Sequence, residues 1–115
     1  METGDSVTDA TFKDTVLKAL ADEYSRAIIA CTMDKSKSVI DISTECNIPI
    51  STAYRRVHEL EEAGLLRVHG SIVSSDGKRY YLYRSKIKAV RMIFGLDSLN
   101  MEVMRNDEMG RSAYW

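Results

Sequence analysis

Residues 48–66 read IPISTAYRRVHELEEAGLL, and this stretch decides the fold. Within it Ala53, Val57, Leu60 and Gly64 recur at helical spacing, so one face can bury against a core. Pro49 and Ser51 mark the start, because proline is tolerated in a first turn and a short hydroxyl can take up free N–H groups there. Gly64 marks the stop, where the chain turns without a Cβ penalty. The opposite face carries Ser51, Thr52, Arg55, Arg56 and Glu59 toward solvent. Hydroxyls in a first turn followed by two adjacent arginines suit a helix, about 49–63, that reads a major groove.

Upstream, residues 38–48 read SVIDISTECNI. Ser38 with Asp41 three residues later approximates a capping box, with Asp in place of the usual Glu. Val39, Ile42 and Cys46 share an inner face, and Asn47 stands where the helix ends in a left-handed residue, which Asn tolerates. A short helix, a tight turn at Asn47, Ile48 and Pro49, and a second amphipathic helix predict a helix-turn-helix rather than a plain helical hairpin. Two further helices precede it, over 8–21 with Thr8 or Asp9 as cap, and over 23–33.

Downstream of Gly64 the period changes. LLRVHGSIV and RYYLYR alternate around SSDGK, and Asp76-Gly77 is a strong hairpin signal because that pair adopts positive φ readily. A hairpin that follows a recognition helix is a wing, here about 72–80. Its tip carries Ser74, Ser75, Lys78 and Arg79, polar and basic groups suited to phosphate or minor-groove contact. Residues 87–94 and 99–105 predict a second hairpin. A single helix over 86–104 is the competing reading, and Gly95, Asp97-Ser98 and the β-branched residues favour strands. The expected class is therefore α+β: a winged helix-turn-helix of three to four helices, a β-hairpin wing and an extra C-terminal β-hairpin.

The chain divides into a disordered N-terminus at 1–8, the winged domain at 9–84, C-terminal strands at 85–105 and a flexible tail at 106–115. The strands leave an edge to cover, and the simplest cover is the same element of a second subunit, which makes 85–105 a dimerisation element. At 115 residues with 44% hydrophobic side chains, the chain can bury one small core, and chains of this size often complete their core by pairing. The acidic start lacks the apolar stretch of a signal peptide, and no apolar run approaches bilayer length, so a cytoplasmic location without membrane contact is expected. Cys31 and Cys46 fit reduced, isolated core thiols.

The net charge of −1 hides a strong asymmetry. Residues 1–50 hold five basic and nine acidic side chains, residues 51–91 nine and four, and residues 92–115 two and four. A basic middle can face a phosphate backbone.

The runs LKALADEYSRAII, SVIDISTECNIPISTAYRRVHELEEAGLL and GKRYYLYR resemble the ArsR-type winged helix-turn-helix transcriptional regulators, above all their small archaeal members. The likeness spans about 12–84. It implies a homodimer that sets two recognition helices in successive major grooves of double-stranded DNA. The family's contact positions fall on Ser51, Thr52, Tyr54, Arg55 and Arg56, with the wing at Ser75, Lys78 and Arg79. Metal-sensing members carry paired cysteines where this chain has Ser38 and Ile40, neither a soft ligand, so no metal and no cofactor are expected. The long dimerisation helix of the sensors is also replaced by strands.

A sequence-specific regulator is thus the leading expectation, with one of Arg55 and Arg56 reading a base and the other clamping phosphate. The bland role for Arg55 is an i,i+4 pair with Glu59. Alternatives are a winged-helix assembly module, which Met92, Met101 and Met104 on the C-terminal strands would suit, or a non-specific, chromatin-like DNA binder. No catalytic motif supports an enzyme. A core of this size leaves little room for an effector pocket within one subunit, so sensing would fall to the dimer interface, and no effector is legible.

Overall fold

The computed structural model describes residues 4–106. Helix α1 (Ala10–Ala21) starts where the Asp9 carboxylate accepts from the Thr11 N–H at 2.9 Å. Asp22 ends α1 and opens α2 (Glu23–Cys31): its extended backbone turns the chain, and its carboxylate accepts from the Ser25 N–H at 2.8 Å. Helix α2 stops short of the expected Met33, because the buried Thr32 hydroxyl turns back to donate to the Ile28 carbonyl at 2.8 Å.

Helix α3 (Val39–Cys46) is capped by Ser38, whose hydroxyl accepts from the Asp41 N–H at 3.1 Å, and ends at Asn47 with φ 56°. The turn is then fixed by the Ser43 hydroxyl, which donates to the Ile48 carbonyl at 2.6 Å. Helix α4 (Ile50–Glu62) has Pro49 at its cap position and no side-chain cap bond. Ser51 is therefore not the cap expected of it: it stands one residue inside the helix and is exposed. The other end is as expected. Leu65 N–H reaches the Leu60 carbonyl at 2.9 Å and Gly64 N–H the Glu61 carbonyl at 3.0 Å, a Schellman pair with Gly64 at φ 82°.

Strands β2 (Leu66–Val73) and β3 (Arg79–Ser85) form the wing, with a register shift between Val68 and Ser71. Lys37 bridges Tyr83 through paired backbone bonds of 3.0 and 2.8 Å, which ties the wing to the segment before α3. Gly77 takes φ 88° at the tip. Strands β4 (Ile87–Phe94) and β5 (Leu99–Arg105) form the second hairpin, with the expected boundaries. The helix over 86–104 is excluded.

The ends differ from expectation. Asp5–Ser6 form β1, which pairs with Val103 and Glu102 of β5, and Val7 N–H adds a bond of 2.9 Å to the Met101 carbonyl. The sheet order is β1-β5-β4. This part of the supposed disordered segment 1–8 thus covers one sheet edge, the task assigned above to a second subunit. Asn106, taken as the start of a loose tail, is 3% exposed and donates to the Met33 and Ser85 carbonyls at 2.8 and 3.1 Å. The rest of that tail, Tyr114 and Trp115 included, lies outside the described residues.

The core joins all these pieces. Val16, Ile28, Ile42, Val57, Leu60 and Leu65 bury between the helices, and Leu66, Ile87, Met101 and Val103 carry the same core under the sheets. Met101 is therefore core, not the exposed partner surface expected of it. The architecture is α+β, a winged helix-turn-helix with a further three-stranded sheet.

Candidate nucleic-acid interface

Burying Ala53, Val57 and Leu60 leaves the first turns of α4 projecting from the body. Ser51, Tyr54 and Arg55 are exposed there and Thr52 half-buried. Arg55 makes no ion pair or hydrogen bond among the described residues, so its donors face water. Arg56 behaves differently. Its Nε and Nη2 grip the two carboxylate oxygens of Asp22 at 2.9 and 3.1 Å, and its Nη1 lies 3.3 Å from Glu59. The i,i+3 partner of Glu59 is therefore Arg56, and the expected Arg55–Glu59 pair does not form. The guanidinium of Arg56, joined by the Ser25 N–H, holds the Asp22 carboxyl down at about 2. Since Asp22 joins α1 to α2, this fork fixes the tilt of α4 on the helices behind it.

Beside α4 the wing presents a tyrosine face. Arg79, Tyr81 and Tyr83 alternate on one side of β3, and with Ile40 and Tyr54 they line a groove of about 100 Å³ between α3, α4 and the wing. Tyr83 is buried, which pushes its phenol up from the usual value, with Glu61 adding to the shift. Tyr54 and Tyr81 are 44% and 50% exposed. Tyr81 is a candidate the sequence reading missed, although its alternation with Arg79 and Tyr83 was visible.

At the wing tip Ser75 and Lys78 are exposed, and Lys78 has no side-chain partner among the described residues. Asp76 is turned inward on the loop: the Ser74 hydroxyl donates to its carboxylate and the Lys78 N–H adds a bond at 3.3 Å, which keeps the carboxyl below its usual range. Arg79 donates from Nη1 to the Ser71 hydroxyl at 2.9 Å across the hairpin. Other arginines of the stretch 51–91 are engaged within the chain, Arg84 buried and Arg91 on the surface. Arg84 donates to the Met33 carbonyl at 3.1 and 2.9 Å, and Arg91 pairs with Glu102 at 3.0 Å. Arg55, Lys78 and Arg79 stay on the α4–wing side.

Cys31 and Cys46 are half-buried neighbours rather than isolated thiols. Burial, then the neighbouring Cys46 thiol, push the Cys31 thiol up to about 12. No group of three or more His, Cys, Asp or Glu side chains able to hold a metal occurs among the described residues. A cleft of about 530 Å³ lies between β1, α1 and the C-terminal sheet, floored by Phe12, Ile87 and Val103 and rimmed by the Asp5–Arg105 pair at 3.2 Å. No helix among the described residues is long and apolar enough to cross a membrane.

Residues 20–69 match the family model of a Helix-turn-helix domain. Among solved structures the chain is similar to the homodimeric winged helix-turn-helix DNA-binding domain, fragment 1–100, of a possible ArsR-family transcriptional regulator from Mycobacterium bovis. The TM-score is 0.52 at 21% identity, over 65% of this chain and 64% of that one. The match thus spans less than two thirds of that neighbour, and at this identity it bears on the fold. No curated protein matches the chain.

Proposed function

We propose that the protein is a sequence-specific, double-stranded-DNA-binding transcriptional regulator that acts as a homodimer in the cytoplasm. Helix α4 enters the major groove, and the wing, about 72–80, lies on the backbone or in the minor groove. The observation that carries this reading is the division of labour between two adjacent arginines. Arg56 is tied to Asp22 and Glu59, while Arg55 stands on the same helix with all its donors open. A guanidinium offered on a fixed helix can bond guanine O6 and N7 bidentately, worth roughly 1–3 kcal/mol of discrimination. Arg56 is then a positioning residue for the helix. Ser51, Thr52, Tyr54 and Tyr81 lie where phosphates flank a docked helix, and Ser75, Lys78 and Arg79 extend that contact along the wing.

Selection from random duplexes tests it. An enriched motif made of two related half-sites about one helical turn apart supports a two-fold regulator. Recovery of unrelated sequences with strong salt dependence points to the chromatin-like alternative, and no recovery refutes the DNA reading. The assembly-module reading draws on a separate surface, the apolar end of the β4–β5 hairpin.

A further inference from the structure

The three-stranded sheet treats its two edges differently. Beyond β5 lies β1, but no strand lies beside the outer edge of β4 among the described residues. Beyond Ile87, whose backbone is taken up by the Ser85 hydroxyl, the outward backbone groups of that edge are a template for another strand. The same end of the hairpin carries Met92, Ile93, Phe94 and Leu96, which are 38%, 62%, 85% and 98% exposed. Exposed apolar residues scattered singly need no explanation, but four within five positions of an edge strand do.

We propose that β4 pairs antiparallel with β4 of a second copy of this chain, about a two-fold axis at Met92. The two sheets then join into one of six strands. The inference rests on the homodimer reading above and supplies its surface. Symmetry narrows the register. A two-fold axis normal to a sheet keeps every side chain on its own face, so the axis must pass through a residue that pairs with its own copy. At Arg91 it would set two guanidinium groups face to face. At Met92 it sets Met92 against the partner's Met92 and Val90 against the partner's Phe94, which covers the exposed end of the strand. Charge favours a second copy over an anionic partner. Arg91 pairs with Glu102 at 3.0 Å, and no charged side chain lies between Met92 and Leu96. The N-terminal strand leaves β5 no edge to offer, so the surface is confined to β4.

Sedimentation of the full chain and of Phe94→Asp tests the surface. The dimer constant should weaken by about 30-fold or more, the effect of spoiling the two symmetric Phe94 contacts beside the axis, while the far-ultraviolet spectrum and monomer fold stay as in the wild type. Register is tested in a Cys31→Ser, Cys46→Ser background. Met92→Cys should cross-link between copies on mild oxidation, and Val90→Cys, which faces Phe94, should not. A dimer indifferent to Phe94→Asp, or equal cross-linking by both variants, overturns the inference. So does a chain that is monomeric with residues 107–115 present and dimeric without them, since its own C-terminal segment would then be the cover. Duplex binding by the wild type, measured alongside, separates these failures from failure of the DNA reading.

Discussion

The β2–β3 hairpin ends in Ser75, Lys78 and Arg79, whereas the β4–β5 hairpin ends in Ile93, Phe94 and Leu96. The two have nearly the same strand lengths, and each closes through a tight turn: Gly77 N–H to the Ser74 carbonyl at 2.9 Å in one, Gly95 N–H to the Ser98 carbonyl at 2.8 Å in the other. Both are anchored at one buried root, where Arg84 of β3 and Asn106 after β5 converge on the Met33 carbonyl. Strand length therefore does not distinguish them. What differs is the chemistry sent into water, a cationic tip beside α4 and an apolar tip away from it. Fold supplies the arms, and side chains choose the partner.

The sharpest break of that contrast is on the DNA side. Arg55→Ala should weaken duplex binding by about 1–3 kcal/mol and flatten the preference at one base position, measured by competition with single-base operator variants. Phe94→Asp should not alter base preference, because Phe94 lies on neither α4 nor the wing. The common root comes next. Asn106→Ala takes a donor from the Ser85 carbonyl while Arg84 still holds that of Met33, and should cost about 1–2 kcal/mol in urea unfolding, loosening the root that both hairpins share.

The tie behind α4 should be smaller, about 1 kcal/mol, since roughly a third of the Asp22 side chain meets water, 32% by exposure. Its carboxyl is held at about 2, below the ordinary value near 4. A depressed acid stabilises the fold above its unfolded value and loses that contribution as the pH falls through the folded one. Wild type and Asp22→Asn should thus differ at pH 7 and converge as the pH falls from about 4 toward 2, read by urea midpoints. The smallest effect belongs to the wing tip. Lys78→Ala should weaken binding to all duplexes alike and lower the salt slope by about 1.

The sequence revealed most where local chemistry is strong. Ser38, Asn47, Gly64 and Asp76-Gly77 each impose a backbone state by themselves, and the boundaries around them are found as read. The second hairpin was legible because Gly95 and Asp97-Ser98 interrupt two alternating runs. What stayed hidden depends on residues far apart in the chain. A two-residue strand such as Asp5–Ser6 has no period to detect, and its pairing is set by the edge of β5. Arg55 and Arg56 look equivalent in one dimension, because the Asp22 that separates their roles lies 34 residues away. Cys31 and Cys46 meet only once α2 packs on α3, and Asn106 is polar yet buried by carbonyls from two other segments.

The most direct measurement is fluorescence anisotropy of a labelled duplex carrying the selected motif, titrated with wild type, Arg55→Ala and Arg56→Lys across a salt series. Tight, salt-dependent binding by the wild type should be lost in discrimination by Arg55→Ala and kept in discrimination by Arg56→Lys. A folded wild-type protein that fails to bind at low salt, or an Arg55→Ala variant that reads the motif as well as the wild type, would contradict the role given to α4.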